Sequence, residues 1–172
     1  MNRISELKNI LLKEKIIGIS YKIDKITDKI YLGSKDGLKE EDYLKKENIN
    51  NILSIMDSAP INKNINQKII NLGDLYCENI IKYFKECIEF IEKSDKVFIH
   101  CECGVSRSAT IVIAYLMYKY KLNFNDAYLY VKKIRPEIDP NNGFRKQLNI
   151  FNDELIKYDY DLNKINFDII KI

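Results

Sequence analysis

Cys101 and Arg107 stand within the run His100-Cys-Glu-Cys-Gly-Val-Ser-Arg-Ser108, where they offer a nucleophile and an anion clamp within one short loop. The run separates a compact apolar stretch, Lys96 to His100, from a longer one, Arg107 to Lys121. The first reads as a buried strand and the second, apolar nearly all round, as a core helix. A strand–loop–helix turn aims backbone N–H groups and the positive end of the helix dipole at one point. A tetrahedral oxyanion suits such a nest, and the residues that would hold it are Glu102, Cys103, Gly104, Val105, Ser106 and Arg107. Gly104 lets the backbone turn where a Cβ would intrude. The same field favours the thiolate of Cys101, placing it for in-line attack on phosphorus. Arg107 can grip two phosphoryl oxygens through its planar fork as charge shifts in the transition state. Ser108 can donate a hydrogen bond to the sulfur, steadying the thiolate as nucleophile and as leaving group.

Expelling an alkoxide or phenoxide also requires a proton donor. Asp74, which follows Gly73 at the end of a short apolar stretch, is the candidate, and Asp57 on an earlier loop is its rival. The chain's one histidine, His100, adjoins Cys101, and neighbours on an extended strand point to opposite faces. A Cys–His protease pair therefore lacks its base. No Cys/His spacing of the zinc-binding kind is present, so the chemistry calls for neither metal nor cofactor.

Elements must hold this loop in place, and the pattern supplies them. Strands are expected at Lys29–Leu32, Asn51–Ile55, Lys68–Leu72 and Lys96–His100. Helices are expected over residues 1–17, Lys39–Lys46, Glu78–Lys93, Arg107–Lys121, a segment capped by Asn123 and ended before Pro136, and Asn141–Tyr158. Ile165, Phe167 and Ile169 alternate with polar residues, which predicts a further strand beyond the last helix. Strands interleaved with helices make an α/β domain, and 172 residues suffice for one such core.

Composition narrows the class further. Twenty-eight basic against 25 acidic residues, scattered along the chain, do not form the basic stripe of a nucleic-acid surface. No apolar run reaches the ~20 residues that span a bilayer. Lys13 and Lys15 interrupt the first apolar stretch, so it does not read as a signal peptide. The four cysteines (Cys77, Cys87, Cys101 and Cys103) then belong to a reducing, intracellular setting, cytoplasmic or nuclear. There Cys103 is a wall residue of the loop, and Cys77 or Cys103 is the candidate for a reversible redox bond.

His100-Cys-Glu-Cys-Gly-Val-Ser-Arg-Ser-Ala-Thr110 resembles the signature loop of the dual-specificity phosphatases, within the Cys-based protein tyrosine phosphatase superfamily. Tyr31-Leu-Gly-Ser34, Ala114-Tyr-Leu-Met117 and Arg135-Pro-Glu-Ile-Asp-Pro-Asn-Asn-Gly-Phe144 resemble other segments of that family, so the likeness runs over about residues 19 to 157. It implies a central mixed sheet flanked by helices, with a catalytic domain over 18–158, an amphipathic extension over 1–17 and a C-terminal extension over 159–172. It implies hydrolysis of phosphotyrosine and phosphoserine or phosphothreonine in proteins through a cysteinyl-phosphate. The partners are then a phosphorylated protein and a phosphate- or vanadate-type oxyanion, with no nucleic acid and no integral membrane association.

Alignment through Tyr83-Phe-Lys-Glu86 sets Asp74 at the family's general acid. By the same resemblance His100 orders the loop, Asn141 braces it from the side, and Arg135 is a buried strut in preference to a second-phosphate site. Glu102, an acid where phosphoinositide phosphatases carry bases, disfavours a highly charged lipid head group. The competing functions are a phosphoinositide phosphatase, an RNA 5′-triphosphatase and a non-catalytic phosphate-binding module.

Overall fold

Val97–Cys101 is buried at every position and lies at the centre of a five-stranded sheet. The structure is a computed structural model that describes residues 22–61 and 65–170. The strands are β1 (Ile23–Lys25), β2 (Ile30–Ser34), β3 (Asn51–Ile55), β4 (Asn66–Ile70) and β5 (Val97–Cys101), in the order β1-β2-β5-β3-β4. β1 runs antiparallel to β2, and every other pairing is parallel. Parallel strands buried on both faces read as continuous apolar runs, which is why β3 and β5 stand out in the sequence.

Alternation sorts their side chains into two layers. Ile30, Leu32, Leu53, Ile55, Val97 and Ile99 join the larger core, whereas Tyr31 and Phe98 point to the opposite face with Ile23, Leu44 and Ile49. A 3₁₀ turn (Lys35–Lys39) and α1 (Glu41–Lys46) contribute Leu38 and Leu44 to the smaller layer. The larger layer is roofed by α2 (Phe84–Lys93), α3 (Arg107–Tyr120), α4 (Phe124–Ile134) and α5 (Asn142–Lys157). α3 is the central helix: residues 107–117 are buried without a break, and it touches β2, β3, β5 and the three other roofing helices. Asn123 and Asn141 cap α4 and α5, their side chains accepting from the backbone N–H of Asp126 and Phe144.

Several expectations are corrected. The edge strand β1 carries no apolar alternation, and only its pairing with β2 defines it. The strand expected at Lys68–Leu72 begins two residues earlier, because Asn66–Ile70 is what pairs with Asn51–Ile55. Leu72 has already left the sheet to enter the site. The expected helix from Glu78 starts instead with a 3₁₀ turn at Ile81–Tyr83. Beyond α5 the described residues form turns and no strand. Leu162, Ile165 and Phe167 are buried in the main core, with Phe167 set 6.1 Å from the Phe151 ring, while Ile169 is exposed. Residues 159–170 therefore close the same core that the domain was expected to complete at 158. The amphipathic helix expected over residues 1–17 lies outside the described residues.

Candidate active site

β5 ends at Cys101 and α3 begins at Arg107, so the loop between them sits at the C-terminal ends of the parallel strands. Ser34 of β2 pairs with Cys101, and Ser54 of β3 with His100, so both neighbours support the point where the chain leaves the sheet. Cys101 is only 1% exposed. Its Sγ accepts a hydrogen bond from the Gly104 N–H at 3.3 Å and one from the Ser108 hydroxyl at 3.2 Å. Both donors, and the N-terminus of α3, point at the sulfur.

The loop's carbonyls account for its shape. Lys35 N–H donates to the Glu102 carbonyl at 3.2 Å, and Asp139 N–H to the Val105 carbonyl at 2.9 Å. Between them the Arg135 guanidinium donates through Nη2 to the Cys103 carbonyl at 3.3 Å and through Nε to the Gly104 carbonyl at 2.9 Å. A trans peptide opposes its C=O to the next N–H. Four carbonyls anchored from outside therefore turn the N–H groups of Cys103, Gly104, Val105 and Ser106 inward. Gly104 has φ +70°, and a Cβ there would lie 2.4 Å from the Gly33 carbonyl carbon, so β2 presses directly on the loop.

Arg107 is 8% exposed and donates through Nη1 to the Leu72 carbonyl at 2.9 Å. Its Nε is buried without a hydrogen-bond acceptor and stands 3.7 Å from Asp74 Oδ2, an ion pair too long for a hydrogen bond. A buried guanidinium donor left open is costly unless an anion completes it. Asp74 is itself held: its Oδ1 accepts from the Ser106 hydroxyl at 2.7 Å and from Asn141 Nδ2 at 2.8 Å. The Asn141 N–H in turn donates to Ser106 Oγ at 3.1 Å. Asp57, the rival acid, lies exposed beyond β3, while Ser106, Arg107 and Asn141 all meet Asp74.

His100 is fully buried and stacks on Phe98. Nδ1 lies 3.2 Å from the Cys101 carbonyl and Nε2 lies 2.7 Å from Ser54 Oγ. Because a carbonyl only accepts, the proton belongs on Nδ1, and Ser54 donates to Nε2 while accepting from Gln67 Nε2 at 3.0 Å. Burial holds the imidazole below its usual 6.5, opposed by its hydrogen bond to the Cys101 carbonyl and the charge of Glu102. A neutral ring that orders the backbone at Cys101 is the outcome.

Arg135 is 3% exposed and paired with Asp24 at 2.5 Å and Glu137 at 3.1 Å. Its donors are spent on the loop and on these carboxylates, which is the geometry of a strut. Glu102 is not a free negative charge beside the pocket, since Lys35 pairs with it. That pairing weakens the charge argument against polyanionic substrates. Cys103 and Cys77 are both exposed, Cys87 is buried within α2, and all four cysteines are free. Sequence reasoning missed Asp24, Lys35, Ser54, Gln67, Leu72 and Asp139. Three of these act through main-chain atoms, for which side-chain type gives no signal.

The family model for the catalytic domain of dual specificity phosphatases matches residues 30–154. The chain is 40% identical over 138 residues to MAP kinase phosphatase with leucine-rich repeats protein 1 of Dictyostelium discoideum, covering 78% of this chain but 16% of that protein. It is 35% identical over 156 residues to dual specificity protein phosphatase 22-B of Danio rerio, covering 84% of this chain and 85% of that one. The crystal structure of DUSP15 superposes with a TM-score of 0.74 at 32% identity, over 84% of this chain and 97% of that one. This fold, with a cysteine, an arginine and a carboxylate around one inward-facing loop, belongs with those proteins: the chain is a member of the dual specificity phosphatase family.

Proposed function

We propose that this chain hydrolyses phosphate monoesters on proteins, at phosphotyrosine and at phosphoserine or phosphothreonine, through a cysteinyl-phosphate. The observation that carries the reading is Cys101 Sγ receiving the Gly104 N–H and the Ser108 hydroxyl, with the loop's buried Arg107 leaving its Nε without an acceptor. A phosphoryl group in the loop receives the inward N–H groups and supplies Arg107 with its missing partner. The Cys101 thiolate attacks phosphorus, forming the S–P bond as the ester P–O bond breaks. Asp74 gives its proton to the leaving oxygen. Water then attacks phosphorus and yields a proton to the Asp74 carboxylate as the P–S bond breaks. The sulfur leaves as a thiolate that Ser108 and Gly104 stabilise.

In this reading His100, Arg135 and Asn141 hold the geometry and touch no substrate. No helix among the described residues is long and apolar enough to cross a membrane. Free cysteines and a reactive thiolate suit the reducing interior of a cell, in cytoplasm or nucleus.

The test is metal-free, vanadate-sensitive hydrolysis measured across phosphotyrosine and phosphoserine/threonine peptides, phosphoinositides and triphosphorylated RNA. Turnover of the peptides is expected, abolished in Cys101→Ser with phosphopeptide binding retained. Preferential turnover of inositides or RNA would reassign the substrate. Binding without turnover would make the site a phosphate-binding module.

A further inference from the structure

We infer that Asp24, on the edge strand β1, is a positioning residue for the phosphate loop, acting through Arg135. The inference rests on the phosphatase reading and adds to it a residue far from Cys101 in sequence and in contact with no substrate.

Two of the loop's four outward carbonyls, those of Cys103 and Gly104, are held by one guanidinium. The peptides they belong to supply the N–H groups of Gly104 and Val105, and the first of these already touches Cys101 Sγ. Whatever fixes the plane of Arg135 therefore fixes two inward donors together. That plane is fixed from its far side. Asp24 Oδ2 accepts from Nη1 at 2.5 Å, and its side chain is 16% exposed. Glu137 shares Nη1 at 3.1 Å but is twice as exposed, at 32%. The more buried, closer carboxylate dominates the pair, because solvent screens it less. A planar fork with one edge on a carboxylate and the other on two carbonyls cannot rotate without losing both.

Lys22, the residue before β1, reaches the loop by a second route in the same place. The Ser34 N–H donates to the Lys22 carbonyl at 3.1 Å, and that carbonyl packs so closely over Gly33 that a Cβ there would lie 1.9 Å away. Gly33 in turn abuts Gly104. A three-residue edge strand thus sits behind the oxyanion nest, with Asp24 as its charged contact to Arg135.

The test compares Asp24→Asn, which keeps the shape and loses the charge, with Ile23→Ala, which trims the neighbouring side chain in the smaller apolar layer and leaves the Asp24–Arg135 pair in place. For each folded variant the inhibition constant of inorganic vanadate, kcat and KM for a phosphotyrosine peptide, and the rate of Cys101 alkylation by iodoacetate at pH 7 are measured. Asp24→Asn is expected to weaken vanadate about ten-fold, to slow alkylation, and to lower kcat by more than it raises KM. The transition state relies on the nest more than the ground state does. Ile23→Ala is expected to lower thermal stability and leave vanadate affinity within about two-fold.

Arg135→Lys, which removes the fork, is expected to reproduce the vanadate defect, and adding Asp24→Asn to it to cost nothing further. Vanadate affinity unchanged in Asp24→Asn, an equal loss in Ile23→Ala, or additive losses in the double variant would each overturn the inference. If Asp24→Asn does not fold, Arg135→Lys decides: wild-type vanadate affinity there overturns it. A wild-type protein that hydrolyses nothing and ignores vanadate would instead overturn the phosphatase reading.

Discussion

At the scale of residues, the site is an account of where donors and acceptors go. Four loop carbonyls are tied to Lys35, Arg135 and Asp139 on the outside, and the matching N–H groups are left for an anion. Asp74 is held from three sides, because Ser106, Asn141 and Arg107 all converge on its carboxyl. Asp74→Ala is expected to lower kcat by about 10²–10⁴ while Cys101 remains open to alkylation. A rate near wild type in steady-state assays with phosphotyrosine peptides would move the acid to another group. Cys101, Arg107, Ser108 and Gly104 could be singled out in the sequence by type and spacing, and the fold gathers them in one loop between β5 and α3. Asp24 was not: an acid in a polar stretch has no signature until the fold brings it to Arg135, 111 positions away.

At the scale of elements, the segment joining α4 to α5 matters as much as the loop it touches. Arg135, Asp139 and Asn141 each anchor the loop or Asp74 from this one stretch, and Ile138 pins it by full burial. Asn141 has two tasks, since its Oδ1 caps α5 through Phe144 N–H at 3.0 Å while its Nδ2 holds Asp74. Asn141→Ala is expected to cost about 1 kcal/mol of stability for the cap and several-fold in kcat. Asn141→Asp restores the cap acceptor but not the donor to Asp74, so it is expected to recover stability and not rate. Denaturant unfolding alongside kinetics separates the two, and recovery of both together would contradict the double role. Buried strands and α3 were readable from continuous apolar runs, and the caps at Asn123 and Asn141 from residue type. The short edge strand β1 and the exit of β4 were not, because pairing rather than pattern defines them.

At the scale of the whole molecule, one core extends from Ile26 to Phe167, and the C-terminal turns belong to it. Alternation of Ile165, Phe167 and Ile169 predicted a strand, but two side chains that reach the core from turns produce the same pattern. Burial of the one histidine gives the fold a pH signature. Its folded value is lowered, so unfolding takes up a proton once pH falls to about the ordinary 6.5. The stability this contributes is complete above 6.5 and is lost as pH falls from there toward the lower folded value. The slope is at most about 1.4 kcal/mol per pH unit. Urea unfolding of the wild type between pH 7.5 and 5 is expected to show this loss, and His100→Asn a shallower slope. Equal slopes would mean that the imidazole takes up its proton alike in the folded and the unfolded chain.

The central claim is that phosphorus passes through Cys101, and the most direct measurement is to trap it there. Ser108→Ala, which keeps the Asp74 proton donor and removes the hydroxyl that stabilises the departing sulfur, is mixed with a phosphotyrosine peptide and quenched, and is expected to yield a phosphoryl group on the peptide containing Cys101 by mass spectrometry. The adduct should be absent from Cys101→Ser treated alike. Release of phosphate by Cys101→Ser at the wild-type rate, or phosphorylation found on another residue, would contradict the account.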